Sequence, residues 1–272
     1  MSSLYLVLLT LFLGVYALVA WYGKRAGVFL LLALLPTYLL RLDIGGIPTT
    51  LLELMLGIAI LAWLFKHRKQ GVDWTFLKGW KIPIGIVLVA ATVGVFVAPD
   101  LLDAIGIWKA YFVEPILFFL LLRTTFKHFD DAEQALMALG TGALFVGGFA
   151  IFQHLTGIGI PIPWDVEGRV TSIFPYPNAV GLFLGPIIVL GIGALFRSLK
   201  AAFYPRAWFW FIVIGCSMTA VFFSQTEAAW IAIPASLLLA AWFIPRLQLL
   251  AVPLTLLAIG AVLLIPAART KI

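Results

Sequence analysis

Gly168-Arg169-Val170-Thr171-Ser172-Ile173-Phe174-Pro175-Tyr176-Pro177-Asn178-Ala179-Val180-Gly181 is the stretch on which the reading of this chain turns. It is a polar, proline-rich break between two long apolar segments. Downstream the sequence runs from Asn178 to Phe196 without a charged residue, close to the ~20 apolar residues that a helix needs to cross a bilayer. Upstream, 132–152 reads the same way apart from Glu133 near its start. Pro175 and Pro177 disfavour helix immediately before Asn178, so the break is a stiff connection and the apolar runs are separate helices.

The same pattern extends over the whole chain. Of 272 residues, 63% are hydrophobic and only 11% charged, with a mean hydropathy of +1.11. Soluble domains carry about 25% charged residues, so there is too little polar surface here to cover a water-facing globule. Ten apolar spans are expected, at 3–22, 26–42, 48–65, 82–98, 108–123, 132–152, 178–196, 207–223, 228–244 and 248–266. They form one all-α, polytopic transmembrane helical bundle covering residues 1–272. Continuous apolar runs exclude a transmembrane β-barrel, whose strands alternate. The first basic residues, Lys24 and Arg25, follow the first apolar run instead of preceding it, so that run reads as a retained helix and not a secretory signal.

The net charge of +6 reads as a topology signal, not as a nucleic-acid surface. One alternating set of loops holds 13 of the 18 Lys and Arg residues, and the other holds Arg41, Lys109, Arg169, Arg269 and Lys271. The positive-inside rule then makes the first set cytoplasmic. Both termini and the 153–178 loop are expected outside the cytoplasmic membrane. Most of the ten tryptophans fall near span ends, as in an aromatic belt; Trp164, in the outer loop, is the best placed of them to stack on a sugar.

Few residues can carry chemistry. Arg169 offers a rigid fork of donors suited to phosphate or diphosphate, or else serves as an interfacial cation bonded to loop carbonyls, Asp165 or Glu167. Asn178 is a favoured helix N-cap, and the helix end beside it suits an anion. Glu227, in a short outer turn, can accept a hydroxyl proton, pair with Arg169, or simply be an acid at a helix start. Lys109 and Glu114 lie within a span and Glu53 near the outer end of another, and ionisable groups in such places are functional candidates. Asp100 and Asp103 read as a solvated helix start. Cys216, the lone cysteine, reads as a packing residue. His67, His128 and His154 lack metal-ligand spacing, and no nucleotide-binding loop is present, so no metal or cofactor is expected.

Arg169 through Gly181 resembles the O-antigen ligase and O-antigen polymerase family of membrane glycosyltransferases, in its arginine, its small and aromatic step, and its Pro-Asn leading into a helix. Ser224 through Trp230 is similar to a second family turn. The resemblance implies an all-helical, metal-independent glycosyltransferase of the C superfamily. It would work on the outer face of the cytoplasmic membrane, moving a glycan from an undecaprenyl diphosphate carrier to an acceptor glycan or lipid. It places the carrier diphosphate on Arg169; read from the residues themselves, Lys109 is the candidate second cation, Asn178 a candidate binding residue at the helix end, and Glu227 or a histidine the candidate to activate the acceptor hydroxyl. Two features depart from the family. Glu227 stands where the family has arginine. The family also continues, near Ala267, into a large outer loop with a catalytic histidine, so the chain is expected to correspond to the N-terminal part of such an enzyme. The competing readings are a multi-pass transporter of small solutes, with Glu53 and Glu114 around a central cavity, and a non-catalytic membrane scaffold.

Overall fold

A chain this apolar has to satisfy its backbone hydrogen bonds internally, and about 80% of it is helical. The computed structural model describes residues 3–23, 25–44, 47–68, 74–127, 129–244, 248 and 253. They fall into two compact units, Met1–Gly142 and Ala143–Ile272. Five helices are long and apolar enough to cross a membrane: Leu4–Tyr22, Leu101–Thr125, Asp131–Thr156, Asn178–Lys200 and Tyr204–Ser224. The chain is an all-α membrane protein on that evidence. Two further apolar helices, Lys81–Phe96 and Glu227–Trp242, are shorter. Ten full spans are therefore not what the described residues display, and the tenth expected span, 248–266, falls almost wholly outside them.

The first unit contains α1 (Ser3–Tyr22), α2 (Ala26–Ala33), the strands β1 (Arg41–Ile44) and β2 (Ile47–Thr50), then α3 (Leu51–His67), α4 (Lys81–Phe96), α5 (Leu101–Trp108) and α6 (Glu114–Thr125). Its core gathers Tyr16 from α1, Leu31 from α2, Met55 and Ala59 from α3, Leu121 from α6 and Ala138. At the α1–α2 turn the chain doubles back tightly. A Cβ on Gly27 would lie 2.7 Å from the Ala20 Cα, and the buried Tyr16 hydroxyl donates to the Gly27 carbonyl at 3.1 Å.

The second expected span, 26–42, is corrected by this structure. Helix stops at Ala33, a 3₁₀ turn over Leu35–Leu39 follows with Pro36 inside it, and the chain then pairs with itself. β1 and β2 run antiparallel in the register Arg41↔Thr50 through Ile44↔Ile47. Proline cannot extend the preceding helix, and the sequence Gly45-Gly46 is a turn signal of the kind that precedes a hairpin return. The fifth expected span, 108–123, starts earlier than expected. Asp100 caps α5 by accepting from the Asp103 amide at 3.0 Å, and helix continues from Leu101 to Thr125 through a π-turn at Lys109–Val113.

The helix α7 (Phe129–Thr156) carries the boundary between the units. The second unit continues with the short α8 (Trp164–Glu167), α9 (Asn178–Lys200), α10 (Tyr204–Ser224) and α11 (Glu227–Trp242). Glycines let these helices approach closely. A Cβ on Gly191 would meet the buried Trp210 ring at 3.0 Å, and one on Gly147 would come within 2.9 Å of the Cys216 sulfur. Cys216 is a packing residue, as its apolar setting suggests.

Candidate functional site

The loop between α7 and α9 is built on one buried side chain. Gln153, with no exposed surface, accepts at Oε1 from the amides of Thr171 (3.1 Å) and Ser172 (2.7 Å). Its Nε2 donates to the carbonyls of Gly159 (2.8 Å) and Ser172 (2.9 Å). The amide group thus uses both donors and both acceptor sites. Ser172 takes a left-handed φ of 53°, unusual for a residue with a side chain, and its hydroxyl is tied to the Val146 carbonyl at 2.6 Å. Nothing in the sequence reading singled out Gln153. The available signal was an amide inside the apolar run Phe149-Ala150-Ile151-Phe152-Gln153, where a buried polar group must find partners.

That fixed loop delivers Arg169. The α8 turn closes on Gly168, whose φ of 65° suits glycine at a helix C-terminus, and the Arg169 amide bonds the Trp164 carbonyl at 3.0 Å. The guanidinium lies over the Trp164 ring, 5.2 Å from its centroid. Nε donates to the Ser224 carbonyl at 3.1 Å. Nη2 donates to Asn178 Oδ1 at 3.2 Å and to the Gln225 carbonyl at 3.3 Å. Nη1 faces the half-exposed Glu167 carboxylate at 3.5 Å. Arg169 therefore knots the loop to the α9 start and to the α10–α11 turn, and its one ionic partner among the described residues is the half-exposed Glu167.

Three expected residues, Arg169, Asn178 and Glu227, thus belong to one region, although not in every expected way. Asn178 is not an N-cap. It is the first residue of α9, Pro177 precedes it, and no side chain caps that helix. Its oxygen is given to Arg169 instead. Glu227 is exposed in the first turn of α11, and among the described residues the Arg169 ion pair is with Glu167, not with Glu227. Thr226, just before it, is buried and donates to the Pro177 carbonyl at 3.2 Å. Trp164 has one face covered by Arg169. His154 is stacked on Phe223 at 3.5 Å between ring centroids.

Beside this knot an apolar groove of about 660 Å³ runs between α9 and α11. Asn178 and Thr226 stand at one end, Leu190 and Ser236 at the other, and Gly185 and Ala232 line it between them. From Asn178 to Leu190 a helix advances about 18 Å.

Lys109 is engaged elsewhere, in the first unit. Its Nζ contacts Glu53 Oε2 at 2.7 Å and Glu114 Oε1 at 3.8 Å, and Thr49 donates a further bond to Glu53 Oε2 at 2.7 Å. Glu53 and Glu114 line a shared cavity of about 170 Å³. The π-turn is what brings Lys109 and Glu114 to the same side of their helix.

No protein-family model, curated protein or solved structure matches this chain.

Proposed function

We propose that this protein binds a polyprenyl diphosphate-linked glycan and transfers the glycan to an acceptor, in the manner of the O-antigen ligase and polymerase enzymes that its Arg169–Gly181 motif resembles. One observation carries the reading: a cation fixed on a rigid loop stands at the mouth of an apolar groove bounded by two helices. A diphosphate with a long hydrocarbon tail has that polarity. The tail lies between α9 and α11 and the head group lies against Arg169, displacing Glu167, the only anionic partner Arg169 has among the described residues. As the glycosidic bond breaks, charge grows on the leaving diphosphate, and a preoriented guanidinium stabilises it without reorganisation. Glu227, exposed beside the knot, takes the proton of the attacking acceptor hydroxyl. This reading sets the α9 N-terminus on the outer face of the cytoplasmic membrane, within a glycosyltransferase-C-like bundle. Lys109, bound to two carboxylates, has no part in it.

The test is binding of undecaprenyl diphosphate, and transfer from its glycosylated form, with Arg169→Ala, Arg169→Lys and Ala232→Leu. Loss of both activities in Arg169→Ala, partial retention in Arg169→Lys and weakened tail binding in Ala232→Leu are expected. Undiminished binding and transfer in all three variants removes the reading.

A second reading, transport of a small solute, is favoured by one observation: the two intramembrane carboxylates that it requires line the same cavity. Solute uptake into vesicles, abolished by Glu114→Gln and untouched by Arg169→Lys, would establish it over the first.

A further inference from the structure

In the first unit, the segment 74–81 leads into α4 and is held in place by aromatic rings. Trp74 stands edge-on to Trp63 of α3, with 6.1 Å between ring centroids, and 6.2 Å from Phe76. Phe76 and Trp80 both reach Phe119 of α6, at 6.5 and 5.5 Å. These rings form one shelf across the ends of α3 and α6 and the start of α4. Arg123 lies one turn beyond Phe119 on the same face of α6, and its guanidinium sits 5.7 Å from the Phe76 ring centroid. Arg123 is in the last turn of a helix long and apolar enough to cross a membrane, which puts the shelf at the level of the membrane surface, where such aromatic and basic residues gather.

The shelf carries more positive charge than its protein partners use. Lys78 lies between Phe76 and Trp80, and Lys81 follows Trp80. Lys78, Lys81 and Arg123 are all exposed. Among the described residues none of the three has a carboxylate or a side-chain hydrogen bond. Other cations of the same unit do have their acids, Arg25 in Asp131 and Lys109 in Glu53. Trp74 and Trp80 are exposed as well. All five side chains are donors and none accepts.

Next to this rim, α4 turns Ile82, Ile86, Val89 and Val93 outward along one face, and none of its residues is buried. A donor-only, cationic rim beside an uncovered apolar helix face complements a phosphate headgroup with acyl chains. Three unpaired cations favour a net anionic headgroup over a zwitterionic one, which brings a cation of its own. We propose that the shelf formed by 74–81 and Arg123 binds an anionic phospholipid, with the phosphate held by Lys78, Lys81 and Arg123 and the chains along α4. This site belongs to the first unit and does not depend on the carrier reading.

The experiment is thermal unfolding of the full chain in detergent, titrated with phosphatidylglycerol, with phosphatidylcholine or with glycerol 3-phosphate. A ligand that binds only the folded state raises Tm with its concentration, so Tm rises saturably with phosphatidylglycerol, less with phosphatidylcholine and not with glycerol 3-phosphate. Lys78→Gln and Lys81→Gln alter exposed, unpaired side chains and keep the fold, and each raises half-saturation by phosphatidylglycerol about fivefold. Arg123→Gln does the same. Arg206→Gln removes a cation held over Phe203 in the second unit and leaves the phosphatidylglycerol response as it was. Equal responses to the two lipids overturn the proposal, as does a response to glycerol 3-phosphate that matches the lipid's, since a free phosphate would then suffice. An unchanged response in the Lys78→Gln, Lys81→Gln pair overturns it too. So does an equal loss in Arg206→Gln, which would mean attraction to the chain's overall charge and no site.

Discussion

Gln153 Oε1 accepts from the Ser172 amide at 2.7 Å while Gln153 Nε2 donates to the Ser172 carbonyl at 2.9 Å. One side-chain amide thereby fixes both ends of a residue held in the left-handed region. Replacing Gln153 by Leu leaves buried amides at Thr171 and Ser172 and carbonyls at Gly159 and Ser172 without that partner. An unsatisfied buried group costs about 1–3 kcal/mol, so Gln153→Leu should destabilise the protein by several kcal/mol on the order of that range summed over the most buried pair. Gln153→Glu should do worse, since it turns an acceptor towards two carbonyls. Limited proteolysis of the 157–177 loop and thermal unfolding in detergent measure this. Wild-type behaviour in both variants would show that the loop is held by something else.

The Asn178 oxygen is spent on Arg169, which makes the residue a regulator of how much positive charge the knot presents. Asn178→Asp converts a neutral acceptor into a charged one at the same place, and charge-assisted bonds are about twice as strong. The knot should be firmer and the groove mouth less attractive to anions. Thermal stability is expected to hold or rise while undecaprenyl diphosphate binding weakens at least tenfold. If binding survives the added carboxylate, the diphosphate does not sit at this arginine.

At Gly181, α9 and α11 touch. A Cβ there would lie 2.5 Å from Thr226 Cγ2 and 2.8 Å from the Ala229 Cβ, closer than atoms can pack. Gly181→Ala forces α11 outward, and overpacking of this kind costs about 1–3 kcal/mol. Thr226→Ser removes the nearest methyl and keeps the hydroxyl that bonds the Pro177 carbonyl. The double variant should recover part of the loss, a coupling that a double-mutant cycle reads directly. Simple additivity would mean that the strain lies at Ala229 instead.

These contacts mark where sequence reading succeeds and where it stops. The helices α9 and α10 were legible nearly to their ends, as 178–196 and 207–223 against Asn178–Lys200 and Tyr204–Ser224, because an apolar run of spanning length has few other solutions. The missed hairpin at Arg41–Thr50 lay beside a long apolar run that drew it into a helix, although Gly45-Gly46 gave its signal. The role of Asn178 misled because residue type names a preferred partner, an amide at the helix start, and not the competing guanidinium supplied nine residues earlier. Gln153 gave only the signal of an amide in an apolar run; its partners are backbone groups, which carry no mark in the sequence. Arg169 was found by type, and its bonds to carbonyls and to Glu167 were among the expected alternatives, whereas its contacts with Trp164 and Asn178 were not.

Lys109 tests whether the charges of the first unit are a structural unit. Removing its ammonium with Lys109→Met leaves Glu53 with the Thr49 hydroxyl as its partner and takes the nearby positive charge from both Glu53 and Glu114. Uncompensated like charges in an apolar setting are destabilising, so Tm should fall. Neutralising one carboxylate on that background, with Glu53→Gln or Glu114→Gln, should restore part of it, because either change removes the uncompensated like-charge pair. No rescue by either would show that the two carboxylates do not repel each other in the folded state.

Gln225 offers a stabilising change that leaves the knot intact. It ends α10 with a left-handed φ of 52°, its amide bonds the Phe222 carbonyl at 3.1 Å, and it serves Arg169 only through its carbonyl. Glycine takes this conformation without the Cβ clash that costs other residues about 1–2 kcal/mol, against a smaller loss from the greater freedom of the unfolded chain. Gln225→Gly should therefore stabilise by about 0.5–1 kcal/mol and leave the Arg169 contacts unchanged, with undecaprenyl diphosphate binding as before. Gln225→Pro should collapse the turn, since it removes the amide and forbids the positive φ. Because Gln225→Gly keeps the carbonyl that Arg169 grips and Gln225→Pro disrupts the turn that presents it, the pair separates two roles for that arginine. If the guanidinium serves only to fasten α10 to the loop, ligand binding is absent from every variant and only unfolding temperatures move; if it also receives an anion, Gln225→Gly keeps full affinity while Arg169→Lys, in the same fold, keeps only part of it.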